Sequence, residues 1–562
     1  MKPPSLVLLL SMTLACGAPP SNADHASDAA HAPAPAAPAT SVAPAAPQPM
    51  AGLGKHHHPI RTTSPDAQAW FDQGMSLVFG FNHEEAVRAF QRAAARDPAA
   101  AMPHWGIAWA LGPNYNLDID DPRAKQASDA VARAKALATD GPDVERAYVD
   151  ALAVRYSPDP NADRPALARA YSRALQQLVA RYPDDLDAAT LYAESLMNLR
   201  PWKLWSLDGA PAEGTVEIVS VLESVLAREP DHLGANHYYI HAVEASPSPA
   251  RAMASARRLE SLAPAAGHLV HMPAHIYART GDHAAAASAN RAGVDADRAY
   301  LKTAPPGGFY EMGYYTHNLH FLTDSHMMQG RFEDARQASA QLGAALAPHL
   351  SMMPMAESMA ASELSVLLRF ERHDAILALP QPPTDRPVIT AWWRFARTVA
   401  FARTGKIDDA VAERAALDAA RARVPDSALF GGTGLESART ILALAASVAD
   451  ARIAATRSRS GADAVNLWRT AVAAGDRVPY DEPPVWFYPL RESLGGALLR
   501  AGRPAEAERV FRDDLERHPR NPRALFGLRE SLRQLKKDAS WVERAFDRAW
   551  QNADVPLTID DL

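Results

Sequence analysis

The feature that most restricts how this chain folds is a recurrence of about 34 residues. In residues 67–100, Gly74, Ala86, Phe90, Ala93 and Pro98 fall at positions 8, 20, 24, 27 and 32 of a 34-residue unit. The spacing returns near the other end as Gly495, Gly502, Ala507, Phe511 and Pro519. Partial copies lie between: Pro230 with Ile218, Leu222 and Val225; Pro264 with Ala252, Ala256 and Leu259; and the pairs Gly281/Ala286, Gly330/Ala335 and Gly405/Ala410. Strand-type alternation is nearly absent, and the helix formers Ala, Leu, Arg and Glu dominate. The expected fold is all-α, a solenoid of helical hairpins over most of residues 64–550, each unit packing on its neighbours. Three stretches break the period and read as irregular inserted loops: 111–122, 198–211 and 303–313.

The recurring positions resemble the tetratricopeptide repeat (TPR) family. Small residues stand where paired helices cross, a Phe in the core between repeats, and a Pro where the second helix ends. The opening FDQGMSLVFGFNHEEAVRAF is similar to that of exported bacterial TPR proteins. The resemblance implies a concave groove that takes a protein, a peptide or a small ligand, and it supplies no catalytic residues. Charge agrees with that choice of partner. The 58 basic and 65 acidic side chains leave a net −7, without the basic stripe of a nucleic-acid binder, so no nucleic acid is expected.

The N-terminus carries a second resemblance. Lys2 precedes an apolar run, Leu6 to Leu14, too short to span a membrane as a helix, and the run ends in Met12-Thr13-Leu14-Ala15-Cys16. This looks like the lipobox of a bacterial lipoprotein. By that resemblance residues 1–15 are a signal peptide, and Cys16 is lipidated and becomes the mature N-terminus. The protein would then be exported to the cell envelope, touching membrane through the anchor only. Gly17 in place of an inner-membrane retention Asp favours the outer membrane, facing the periplasm. Residues 16–59, rich in Ala and Pro, cannot bury enough surface to offset their ordering entropy and read as a tether. The remainder divides into repeats over 60–232, His-rich repeats over 233–349 and repeats over 350–562. Cys16 is the single cysteine, which excludes an internal disulfide and a Cys-based zinc site.

The His-rich segment holds the candidate chemistry. Eleven of the 20 histidines lie between His232 and His349, and their register repeats. His237 and His241 stand at i and i+4, on one face of a helix; His271 and His275 repeat the pair 34 residues later. His320 and Asp324 take the same positions, 5 and 9, in the following unit, and His268 and His317 both take position 2. By resemblance to TPR structures, positions 5 and 9 face the concave groove. Such pairs on neighbouring helices bring imidazoles close enough for one ion or two, and the candidate ligands are His237, His241, His268, His271, His275, His317, His320 and Asp324. Imidazole suits zinc, copper, iron and nickel, and nine Met between Met253 and Met359 favour copper over iron or zinc. Three readings stand side by side: a transition-metal site, a polar groove for an anionic or peptide ligand, and repeat inheritance without a ligand. A metal with an open coordination position would allow oxidative or hydrolytic catalysis; a closed one would make a binding scaffold.

Weaker candidates are Glu194 and Glu244, read first as solvated charges, and the His56-His57-His58 run beside the tether. Trp202, Trp205, Tyr310, Tyr314 and Tyr315 lie in or beside the inserted loops, as groove anchors or as closing contacts. Pro273, between His271 and His275, predicts a helix break inside the second pair.

Overall fold

The computed structural model describes residues 49–159, 161–351, 356–457 and 461–562. The signal-type segment, Cys16 and most of the tether lie outside these residues. Among the described residues, α-helices follow one another from Pro65–Phe79 to Ser540–Trp550. Extended structure amounts to Leu429–Phe430 paired with Glu436–Ser437 and one bridge between Trp205 and Pro211. The architecture is an all-α, TPR-like solenoid in which successive helices pack on one another.

The repeat positions have direct physical roles. Phe90 lies in a slot between Gly74 and Gly106, where an added Cβ would approach its ring to 2.4 and 2.6 Å. Phe511 lies likewise between Gly495 and Gly527, at 2.3 and 2.1 Å. In both places the glycines stand sixteen residues before and after the Phe, so one ring locks the first helices of two successive hairpins. The turn inside each hairpin needs a left-handed residue at position 15. Gly281, Gly330, Gly405 and Gly502 supply it, with φ between 69° and 78°. Phe81 occupies the same position with φ 57°, a conformation that costs a non-glycine residue about 1–2 kcal/mol.

One core runs from Leu53 to Tyr314 and another from Met327 to Leu562, so the division falls inside the segment assigned to the central repeats. Both arms return to the middle of the chain. The helix Pro65–Phe79 packs on Leu233–Val243, where Gly234 leaves room for the Phe79 ring. From the other end, Arg520 donates to Thr280 O at 2.6 and 2.9 Å, and the Phe332 and Glu333 amides donate to the Asp554 carboxylate at 2.7 and 3.1 Å.

Residues 50–58, assigned from sequence to the tether, lie as a strap along the first core. The Ala265 amide donates to Gly52 O at 2.9 Å, and Leu53 is buried. Asp187 holds the strap. His58 Nδ1 donates to its Oδ2 at 2.7 Å, and the Nε2 atoms of His56 and His232 each lie 3.2 Å from its Oδ1. Burial alone would lower the pKa of His56 and His58, but the charge and hydrogen bonds of Asp187 raise both. Burial alone would raise Asp187, yet the His56 charge and the three imidazole contacts hold it well below the usual carboxylate range. The raised histidines stabilise the strap fully below about pH 6.5 and lose that contribution as pH rises through their folded values. The depressed carboxylate contributes above about pH 3.9 and is lost as pH falls through its folded value. Hydrogen exchange of residues 50–64, corrected for intrinsic rate, is therefore expected to quicken in the parent between about pH 6.5 and a pH above the raised folded values of His56 and His58. In Asp187→Asn it is expected to be fast throughout. Equal protection of the parent at both pH values would refute this account of the strap.

Candidate metal centre

Four helical elements carry six histidines to one place. His237 and His241 lie on Leu233–Val243, one turn apart on the same face. His268 and His271 lie on the short helix Gly267–His271, and His275 follows on Pro273–Arg279. Pro273 removes one backbone donor, but Met272 keeps helical dihedrals and its amide still bonds His268 O at 3.1 Å. The break therefore leaves His271 and His275 in contact. His317 lies at the start of Thr316–Met328, just after the π-helical turn Tyr310–Tyr315.

These rings form two triads in which one ligand-type atom from each residue lies within 4.8 Å of the others: His237/His241/His268 and His271/His275/His317. Each triad follows one rule, namely positions 5 and 9 of a repeat plus position 2 of the next. The rule stops on both sides. Upstream the positions hold Thr190, Glu194 and Gly234, the last being the place where Phe79 packs. Downstream His320 and Asp324 fall outside both triads. His320 is pushed down to about 4 by burial; Asp324 is pushed up to about 7 by burial, which outweighs the charge of Arg369.

The outer nitrogens fix the protonation of four rings. His237 Nδ1 donates to Phe79 O at 2.5 Å, and His241 Nδ1 to Glu244 Oε1 at 2.7 Å. His271 Nδ1 donates to Asn290 Oδ1 at 2.6 Å, an orientation set by the Asn290 amide nitrogen, which donates to Ala286 O at 2.9 Å. His275 Nδ1 donates to Glu244 Oε2 at 2.6 Å and Glu482 Oε2 at 2.5 Å. A neutral ring with its proton on Nδ1 has a bare lone pair on Nε2. The Nε2 atoms turn inward: that of His271 lies 2.7 Å from that of His275 and 3.0 Å from that of His317, and that of His237 lies 3.1 Å from that of His268. Nε2 of His241 is buried without a hydrogen-bond partner. Lone pairs facing one another repel unless a cation or proton lies between them. A metal bound at ~2.0–2.1 Å by each nitrogen sets N···N separations of about 3.3–3.6 Å, slightly wider than those seen.

Charge around the rings favours a cation. Burial, then neighbouring rings, push His237, His268 and His271 well below the usual histidine value; burial takes His241 and His317 to about 3. Burial would lower His275 too, but the Glu482 and Glu244 charges raise it to about 10. Glu244, taken first as a solvated charge, is 1% exposed and ties one ring of each triad together. Glu482 carried no sequence signal: it comes from a loop 207 residues beyond His275, and Tyr480 OH donates to it at 3.0 Å.

The triads do not line an open groove. His237, His241, His268, His271 and His275 are all at most 2% exposed, and His317 is half-buried. The concave face is filled by the chain itself. Phe81 packs on His237, His241 and His268, with centroids 4.4, 5.8 and 5.2 Å away. Two inserted loops bring Tyr115 and Trp202 to 5.5 Å from His241, and Tyr314 lies 4.8 Å from His268. Phe321 covers His271, His275 and His317. Trp205 donates to Ala242 O, Tyr310 donates to buried Asp297, and Tyr315 accepts from Arg298, so these three are closing contacts. Glu194 accepts from Asn198 in the first core, away from both triads. Of the methionines, Met328 takes Arg369 at 3.9 Å, while Met352 and Met353 lie outside the described residues.

No family model and no curated protein matches the chain. Solved structures resemble it at low identity. A crystal structure of yeast Tom70 aligns at 10% identity and TM-score 0.29, over 87% of this chain and 90% of that one. The human IFIT1 dimer with PPP-AAAA aligns at 10% identity and TM-score 0.32, over 88% and 92%.

Proposed function

We propose that this protein is a helical-repeat metal protein whose two buried triads, His237/His241/His268 and His271/His275/His317, each hold one copper ion. The observation that carries the reading is the set of inward-facing Nε2 atoms, four of them on rings oriented by Nδ1 donations to Phe79 O, Glu244, Asn290 and Glu482. Outer hydrogen bonds of this kind orient metal-bound imidazole and raise its basicity. Imidazole donors suit copper as they do zinc, iron and nickel, and elemental analysis separates copper from the others. Lipid on Cys16 would hold the solenoid at the cell envelope. A protein or peptide partner would meet surfaces other than the triads, because the rings are covered.

The test is elemental analysis of untagged protein prepared from the membrane fraction. Recovery in the soluble fraction would remove the lipid anchor from the proposal. About two equivalents of copper per chain are expected. The variant His237→Ala/His241→Ala should keep one, and His271→Ala/His275→Ala should keep the other, with helical circular dichroism retained in both. No stoichiometric metal after reconstitution with copper, zinc and iron in turn would refute the proposal and leave a metal-free scaffold.

A further inference from the structure

Proximity first. The two triads are not separate clusters. Ring centroids across them, 5.5 Å for His241–His275 and 5.7 Å for His268–His271, fall within the 4.6–6.2 Å range found inside the triads. The same rule generates both sites from successive repeats, and its position-9 rings, His241 and His275, stand 5.5 Å apart with their planes crossed at 83°. Two ions held by rings this close can share one small bridging ligand.

Charge and enclosure narrow the ligand further. Glu244 and Glu482 contact the His241 and His275 rings. Oxidation of both copper(I) ions without a new anion would add two positive charges to a buried site, where unpaired charge is costly. An oxidant that stays bound and carries the two electrons as its own negative charge avoids that cost. The rings are covered by Phe81, Tyr115, Trp202 and Phe321, which leaves no room for a bulky substrate at the ions.

We infer that the six-histidine cluster is a single dinuclear centre that binds dioxygen between its two copper ions. The inference rests on the copper reading above. In the binding step each copper(I) gives one electron and becomes copper(II). Dioxygen takes both, its O–O bond order falls from two to one, and it remains as a dianion joined to both metals. No proton is taken up or released, no atom leaves, and the total charge of the site is unchanged.

The experiment uses full-length protein loaded anaerobically with copper(I), copper content being measured before any gas is added. One dioxygen per two coppers is expected on exposure, with an intense near-ultraviolet absorption that reverses under vacuum. Carbon monoxide should compete. The two double-alanine variants, each holding one copper, should take up less than a tenth as much. Failure to load two coppers would overturn the copper reading and this inference with it. Two bound coppers without dioxygen uptake would overturn the inference alone. Equal uptake per copper in the one-triad variants would also overturn it, because a dinuclear site cannot act through one ion.

Discussion

Replacing Glu244 by glutamine is expected to weaken copper at both triads together, by about 10–100-fold at each, the usual cost of losing a group that orients a metal-bound histidine. The Glu244 carboxylate accepts from His241 Nδ1 through Oε1 and from His275 Nδ1 through Oε2, so it is the one side chain that holds a ring of each site. Glutamine keeps the shape but presents an NH2 to one of two ring donors, so at least one ring must flip its tautomer or lose its bond. The wrong tautomer puts a proton on the Nε2 that should bind metal. Glu482→Gln is the control: Glu482 touches His275 alone among the six, so only His271/His275/His317 should weaken. Competition titration with a copper(I) chelator reads both sites. Unequal loss in Glu244→Gln, with the first triad untouched, would show that the carboxylate does not couple them.

At Phe81, truncation should destabilise the fold with the order of alanine and glycine reversed. Phe81→Ala removes a buried ring from above His237, His241 and His268, a loss of about 3–5 kcal/mol for a core Phe. Alanine also keeps the left-handed strain that Phe81 bears at φ 57°. Phe81→Gly loses the same ring but relieves that strain, as the glycines of four other repeats show, so it should be milder by about 1 kcal/mol. In an ordinary helical position glycine would be the worse of the two. Denaturant unfolding of the first core gives the ranking, and alanine milder than glycine would mean that the backbone at 81 is unstrained. Both variants should exchange copper faster from the first triad. Glu371 and Lys536 make the same left-handed turn in other repeats, at φ 55° and 56°, and Phe81 is the one of the three that packs on ligand rings.

Which residues were legible before folding follows from how far apart in the chain the causes lie. Within one helix, 3.6 residues per turn oblige His237 and His241 to share a face, and the 34-residue period obliges His271 and His275 to repeat it. The position-2 coincidence of His268 and His317 was visible for the same reason. The helices, their turns and the glycine slots for Phe90 and Phe511 are local in this sense too, because each repeat meets mainly its neighbours. The partition into triads was not legible. It depends on which nitrogen of a position-2 ring reaches back to the preceding repeat, and that is set by helix crossing. His320 and Asp324 match the pattern, yet among the described residues they belong to no triad.

Beyond one repeat, only the tertiary structure decided. Phe79 O accepts from His237 Nδ1 from 158 residues away, and Glu482 accepts from His275 Nδ1 from 207 residues away. Those contacts exist because both arms of the solenoid curve back onto its middle, a small rotation per repeat summed over many repeats. No single repeat encodes that sum. A sequence pattern therefore determined that imidazoles would gather on the inner face of the central helices. The accumulated curvature decided that this face would be covered and flanked by two carboxylates, Glu244 and Glu482.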